Sequence, residues 1–383
     1  MDNNGQIMKK LRVFEAFAGI GAQATALDRL GFDYEVVGIS EWFTDAIICY
    51  DAIHNKSECA PTFPDKSEQV EYLKQFQFSR DSVRPSKLEL MNSDYIELLY
   101  AANKNSKNFG SITQIKGANM PEIDLLVYTF PCQDLSTGGK GLGMKKGSGT
   151  RSCLLWEIER ILLELKEYNR LPEYLLLENV RNILAPVYKE DFNAWLSFLE
   201  SLGYSNDECM VLNALDFGIP QERERAFIVS HLGDKLNVSA KIQKKQRVYD
   251  FNRFFRNDYS NETYKKEADI AQLNKTPSRE KMWRINGKEL NENTVVRTIT
   301  CNMDRTHTAA LFKYSGVKGD SYRRLTIREA FLLMGFTEKE YESTLHLEFT
   351  YRKMNKLIGN SIVVDVLTEV FRAMFGEKYV RGN

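Results

Sequence analysis

Histidine is nearly absent from this chain: His54, His231, His307 and His346 are the only four in 383 residues, and none neighbours a recognisable catalytic partner. A cysteine hydrolase needs a histidine to take the thiol proton, so that enzyme class ranks last. Cysteine is scarce as well. Cys49, Cys59, Cys132, Cys153, Cys209 and Cys301 form no Cys-x-x-Cys pair, which argues against a zinc ribbon and a disulfide framework, and no metal site is expected. No apolar run is long enough to span a bilayer, and Met1-Asp2-Asn3-Asn4 lacks the basic and apolar regions of a leader. A cytoplasmic protein without membrane contact is the expectation. Net charge is missing too, since 52 Lys and Arg balance 52 Asp and Glu. That balance argues against a generally polycationic nucleic-acid binder and leaves room for a local basic surface.

What the chain has is enough length and apolar content, 43% of its residues, for one large domain with a smaller one attached. Leu11 to Ala18 reads as a strand, Gly19-Ile20-Gly21 follows at once, and Ala22 to Leu30 reads as a helix closed by Gly31. A strand, a glycine turn and a helix let backbone N–H groups approach a ligand, although a plain turn has the same pattern. The next strand, Tyr34 to Ser40, ends in Glu41-Trp42. An acid at about twenty residues past the glycines is where a nucleotide-type ribose is held, and Trp42 suits stacking on an adenine as well as simple packing.

The stretch 55–92 is polar, shows no clear periodicity and reads as a surface insertion. Ser93-Asp94-Tyr95 then opens a helix, with Asp94 either its N-cap or a ligand contact. The apolar run Leu125 to Phe130 stops at Pro131 and delivers Cys132 into a loop holding Gly138, Gly139, Gly141, Gly143, Gly147 and Gly149, a composition suited to a lid. Lys140, Lys145, Lys146 and Arg151 lie close in sequence, and a thiol beside positive charge is a candidate nucleophile; the alternative is a structural cysteine. Another strand, opened by Pro172, ends in Glu178-Asn179-Val180. Parallel strands point their ends into one crevice, so Cys132 and Glu178 can meet there. Gln221-x-Arg223-x-Arg225 leads into a further strand with two arginines on one side, suited to phosphate or a polar ring edge, or to salt bridges with Glu222 and Glu224. Past His231 the alternation of strands and helices ceases. Residues 241–256 mix six basic residues and four aromatics with one acid, a texture that fits phosphate and base contacts. The expected division is a catalytic domain over 1–231, a smaller domain over 232–324 and a return to the first over 325–383, where Thr326-x-x-Glu329 is a capping-box pattern.

In order, Phe17-Ala18-Gly19-Ile20-Gly21, Glu41-Trp42, Pro131-Cys132-Gln133, Glu178-Asn179-Val180, Gln221-x-Arg223-x-Arg225 and Gly359-Asn360-Ser361 closely resemble the DNA (cytosine-5) methyltransferase family. The resemblance covers nearly the whole chain apart from the insertion and 232–296. Three runs, Lys10–Gln23, Phe130–Ser136 and Gly147–Arg160, are similar to the mollicute branch that includes CG-specific enzymes, with Cys153 standing where that branch has glycine. The resemblance implies an α/β, Rossmann-like sheet that uses S-adenosylmethionine, with a target-recognition domain beside it. It also implies that Cys132 adds to carbon 6 of a flipped-out cytosine, Glu178 acts at ring nitrogen 3, Arg225 holds the carbonyl oxygen, and Gln221, Arg223 and Asn179 order what surrounds them. The family's cofactor contacts fall on Phe17, Gly19, Gly21, Glu41, Trp42, Asp94, Leu154 and Asn360. DNA contacts are expected from Ser136, Lys140 and Lys145 of the loop and from Lys244, Lys245, Arg247 and Arg253. The expected partner is double-stranded DNA, bound by a monomer, with a cognate restriction endonuclease as a functional and not a physical partner. A tRNA cytosine-5 methyltransferase and a catalytically impaired DNA-binding homologue are the alternatives.

Overall fold

Strands buried on both faces lose the in-out alternation of exposed sheets and read as continuous apolar runs. The computed structural model, which describes residues 10–55, 64–135, 142–303 and 310–381, has such strands at the centre of its larger unit. The sheet comprises β1 (Leu11–Ala16), β2 (Tyr34–Ser40), β3 (Leu125–Tyr128), β4 (Tyr174–Val180), β5 (Tyr204–Asn206), β6 (Met210–Asn213) and, past the two-residue β7 (Gln221–Glu222), β8 (Glu224–Leu232). The order is β2-β1-β3-β4-β8-β5, with β6 also on β8. The first four strands are mutually parallel, and β8 runs antiparallel to β4 and β5. All four residues of β3 and six of seven in β4 are buried. The chain lays β2 on one side of β1 and β3 on the other. At such a switch point the connections part, opening a crevice at the carboxyl ends of the strands where doubly wound sheets bind ligands. The α/β expectation is therefore met.

The helices of this unit are α1 (Ala22–Arg29), α2 (Thr44–His54), α3 (Lys66–Leu73), α4 (Ser93–Asn105), α5 (Leu155–Glu167), α6 (Lys189–Ser201) and the single turn α7 (Val238–Lys241). Ile158, Ile161 and Leu165 of α5 pack with Trp195 and Leu199 of α6 against Phe14, Leu126, Tyr128 and Leu177 of the sheet. No helix among the described residues is long and apolar enough to cross a membrane.

The stretch 55–92 departs from expectation. Its described part, 64–92, is built into the fold: Val70, Leu73, Phe78 and Leu88 are buried, and Ser79 exchanges backbone hydrogen bonds with Trp42 and Thr44 at 2.7 and 3.0 Å. The segment braces the end of β2. Two helical turns of α3 and a three-residue 3-10 helix are too short to show a period in the sequence, which explains its polar, featureless look.

The second compact unit comprises 213–223 and 244–366, so the larger unit keeps 224–243 and resumes at Leu367, later than the expected return at 325. It contains α8 (Phe251–Phe254), α9 (Glu262–Ala271), α10 (Pro277–Asn286), β9 (Val296–Arg297), the antiparallel hairpin β10 (Phe312–Gly316) and β11 (Gly319–Arg323), α11 (Ile327–Leu333), α12 (Glu338–Glu342) and α13 (Tyr351–Asn360). A last helix, α14 (Val364–Phe375), carries the chain back. Thr326 and Glu329 form the expected capping box on α11. Glu329 also pairs with Arg323 at 2.8 Å, both side chains fully buried.

Candidate active site

The turn after β1 is held in a conformation that side chains resist. Phe17 adopts φ 61°, a left-handed state that costs a non-glycine residue about 1–3 kcal/mol and persists only where surroundings enforce it. Here they do: the Phe17 and Ala18 amides both donate to the Ser40 carbonyl of β2, and the Thr129 hydroxyl past β3 donates to the Phe17 carbonyl. Gly21, at φ 81°, begins α1. A Cβ there would lie 2.1 Å from His54 Nε2 and 2.7 Å from the Tyr50 ring, so glycine is required by space as well as by φ. Glu41 closes the turn from β2. Its carboxylate accepts the Gly19 amide at 3.0 Å and the Trp42 and Phe43 amides at 2.9 and 2.8 Å. Phe17, Gly19, Glu41 and Trp42 thus converge at one edge of the sheet, half-buried, around a fixed carboxylate. This arrangement fits a nucleoside-bearing cofactor.

A buried polar brace lies behind that turn, and sequence reading missed it. Glu15 of β1 is fully buried. The Tyr50 hydroxyl and the Ala24 amide, in the first turn of α1, approach its carboxyl, yet neither oxygen gains a hydrogen bond of good geometry. His54 Nε2 meets the Ile20 carbonyl in the turn itself at 3.2 Å, and its ring packs on Tyr50. The available signal was a lone acid inside the apolar run Leu11 to Ala18. Burial pushes the Glu15 pKa up to about 8, partly offset by Tyr50 and the Ala24 amide, so the group is a neutral acid at neutral pH. Between the ordinary carboxylate value and about 8, the folded chain keeps a proton that the unfolded chain has released. Stability therefore falls as pH rises through that window, by about 5 kcal/mol in all, and levels off above it. Glu15→Gln cannot ionise and should flatten this decline in urea midpoints taken from about pH 5 to 9; an unchanged slope would refute the assignment.

The cysteine loop is anchored independently of its thiol. Pro131 offers its carbonyl to the Ser152 hydroxyl at 2.7 Å, the Leu135 amide donates to the Cys132 carbonyl, and Asp134 Oδ2 accepts the Arg151 amide at 2.8 Å. Cys132 itself is partly exposed. Asn179, nearly fully buried at the end of β4, donates from Nδ2 to the Phe130 carbonyl at 3.0 Å and accepts the Val180 amide on Oδ1. It ties the β4 end to the segment that presents Cys132. Of the expected cations near the thiol, Lys146 is paired with Glu159, Arg151 reaches the Gln133 side chain, and Lys145 is exposed. Ser136 and Lys140 lie outside the described residues.

Glu178 and Arg225 meet because β4 and β8 are antiparallel. Glu178 is opposite Phe227 in register, which makes Arg225 its diagonal neighbour on the same face. Arg225 Nε lies 3.3 Å from Glu178 Oε1, with the two side chains only 16% and 9% exposed. A carboxyl group and a guanidinium held this far from water can offer an acid–base group and a fixed cation to a polar ring.

Arg223 and Gln221 are corrections. The expectation set Arg223 beside Arg225, but Arg223 falls in the break between β7 and β8 and turns into the smaller unit. Its guanidinium is buried and donates to the carbonyls of Ile299 at 2.7 Å, Gly359 at 3.2 Å and Ser361 at 2.7 Å. Gln221 is fully buried, donating to the Leu333 carbonyl and accepting the Ile299 amide. Both side chains fasten backbone, and neither is exposed to a phosphate. Asp94 is not an N-cap: Asn92 caps α4 by accepting the Tyr95 amide, and Asp94 is exposed in the first turn. Leu154 ends a 3-10 turn packed on the sheet core, and Asn360 is exposed at the end of α13.

A mostly parallel sheet with a switch point at β1, a strained glycine turn beside a fixed acid, and a cysteine one strand away fit the Rossmann-like methyltransferase fold. The chain belongs to the C-5 cytosine-specific DNA methylase family, whose model matches residues 90–376. It is 37% identical to the orphan methyltransferase M.SssI of Spiroplasma monobiae, over 96% of this chain and 98% of that protein. Identity to the type II methyltransferase M2.ScrFI of Lactococcus lactis subsp. cremoris is 34%, over 95% and 99%. The fold is shared with the solved structures of the S. pombe Dnmt2 methyltransferase (TM-score 0.58, 18% identity, 96% and 98% covered) and the Entamoeba histolytica methyltransferase EhMeth (0.59, 16%, 96% and 99%). The methyl donor of this family is S-adenosylmethionine.

Proposed function

We propose that this protein methylates carbon 5 of a cytosine flipped out of a specific site in double-stranded DNA, through a covalent adduct of Cys132 at carbon 6. The observation that carries the proposal is the Glu178–Arg225 pair at 3.3 Å, with Glu178 on the strand whose Asn179 anchors the Cys132 segment. S-adenosylmethionine supplies the methyl group. Phe17, Gly19, Glu41 and Trp42 would hold it, and Glu15 and His54 support their turn from behind.

Carbon 5 of cytosine is too weak a nucleophile to accept a methyl group unaided. As the Cys132 thiolate bonds to carbon 6, the ring gains negative charge, and Glu178 shares a proton with nitrogen 3 to hold it. Arg225 fixes the ring carbonyl oxygen. Carbon 5 then behaves as an enamine carbon and takes the methyl group. A base then takes the carbon-5 proton, and the C–H electron pair forms the carbon 5–carbon 6 double bond as the thiolate leaves. A stacked base cannot be reached this way, so the target is extruded, at a cost of a few kcal/mol. The enzyme acts as a monomer, and a restriction endonuclease of the same site is its functional counterpart.

The test is a duplex carrying 5-fluorocytosine at the target site, incubated with enzyme and S-adenosylmethionine. Fluorine cannot leave as a proton does, so a stable complex is expected, with the DNA attached to the peptide containing Cys132. No adduct on a correct site would refute the covalent route. Methyl incorporation into tRNA but not into duplex DNA would overturn the choice of substrate.

A further inference from the structure

The basic stretch that looks like a DNA-binding surface in the sequence is partly neutralised in the fold, with four of its six cations drawn onto three carboxylates. Lys244 and Arg247 both pair with Asp216, at 3.2 and 2.8 Å, Arg253 pairs with Asp365 at 3.1 Å, and Arg256 pairs with Glu338. Lys245 is exposed, while its backbone amide donates to the Asp216 carbonyl. A cation already paired with a carboxylate offers a phosphate little net charge.

A second basic segment has the opposite character. Lys275, Arg279, Lys281, Arg284 and Lys288 lie on or beside α10 with Glu280 as the one acid of that stretch. Among the described residues none of the five enters an ion pair. The helix is seated mainly by Trp283, buried against Leu273, Leu311 and the Tyr322 ring of β11, at a centroid distance of 5.2 Å, with Met282 packed beside it. With Trp283 turned inward, Lys281, Arg284 and Ile285 face solvent, and Ile285 is 75% exposed. Lys281 stands three and four residues before Arg284 and Ile285, which puts the three on one face of the helix. Cations grouped around an isolated apolar side chain match duplex DNA, whose phosphates flank thymine methyl groups and sugar faces.

We propose that α10 is the element of the smaller unit that lies on duplex DNA, with Lys281 and Arg284 on phosphates, and that the 241–256 stretch is a structural seam. This rests on the assignment of duplex DNA as substrate. A cleft of about 510 Å³ runs alongside, lined by Arg284, Lys313 and Tyr322 but also by Glu280 and Asp320. Those carboxylates suit base amino groups and repel phosphate, so the phosphate contacts are assigned to the helix face and not to the cleft.

The experiment measures duplex binding over a series of salt concentrations for the wild type, for Lys281→Gln/Arg284→Gln and for Lys244→Gln/Arg247→Gln. Both variants change exposed side chains, and a thermal melt confirms that each is folded. Each lost phosphate contact lowers the slope of log K against log salt by about 0.9, so the α10 variant should lose roughly 2 from the slope. The seam variant should keep the wild-type slope. An unchanged slope in the α10 variant, or an equal loss in the seam variant, would overturn the inference. A wild-type protein that binds no duplex would overturn the choice of substrate instead.

Discussion

Cys132→Ala will transfer no measurable methyl group to DNA and will form no adduct with 5-fluorocytosine, while remaining folded. Removing a covalent nucleophile from other enzymes costs on the order of 10⁴-fold or more in kcat, because the step it divides in two must then pass in one. Here no other route is apparent, since carbon 5 is activated only through addition at carbon 6. The fold should not notice the change. The loop is anchored by the Pro131 carbonyl on Ser152, the Phe130 carbonyl on Asn179 and the Asp134 carboxylate on the Arg151 amide. Transfer of labelled methyl groups to a substrate duplex, with melting curves of both proteins, measures it. Substantial turnover by a folded Cys132→Ala protein would eliminate the covalent mechanism.

Glu178→Gln should lower the single-turnover rate by about 10²–10⁴-fold with little change in DNA affinity, because proton sharing with ring nitrogen 3 matters only as charge develops. Glutamine keeps the shape of the side chain but leaves the Arg225 guanidinium without its charge partner at 3.3 Å. A stability loss of roughly 3 kcal/mol accompanies removal of one member of a buried pair, and the modest exposure of both side chains lowers that figure. Rates are best read with enzyme in excess over DNA, so that product release does not mask chemistry. A near wild-type rate would remove Glu178 from the reaction and leave it a structural partner of Arg225.

Much of the reacting edge is visible in the sequence because it depends on local order. Cys132 follows an apolar strand and a proline, and Glu178 ends another such strand; parallel strands of one sheet open their carboxyl ends to one side. The Thr326–Glu329 capping box is equally local, two residues three apart that satisfy one another. Arg223 shows where locality ends. Two residues from Arg225, it looks like its twin, yet the break between β7 and β8 sends it to three carbonyls 76, 136 and 138 residues away. Glu15 was visible only as an odd acid in a strand, and the groups that approach it come from two other elements.

The charge pattern draws the same line. By itself the sequence determined the order of strands and turns, and with it which side chains reach the carboxyl edge, because backbone periodicity and strand ends are properties of neighbours in the chain. Only the tertiary structure decided which charges remain unneutralised. Residues 241–256 and the α10 segment are both rich in Lys and Arg as strings, but Asp216, Asp365 and Glu338, distant in the chain, pair with cations of the first, while no ion pair among the described residues reaches the second. Electrostatic pairing falls off with distance in space and is blind to distance in sequence, so no reading of the string alone separates the two.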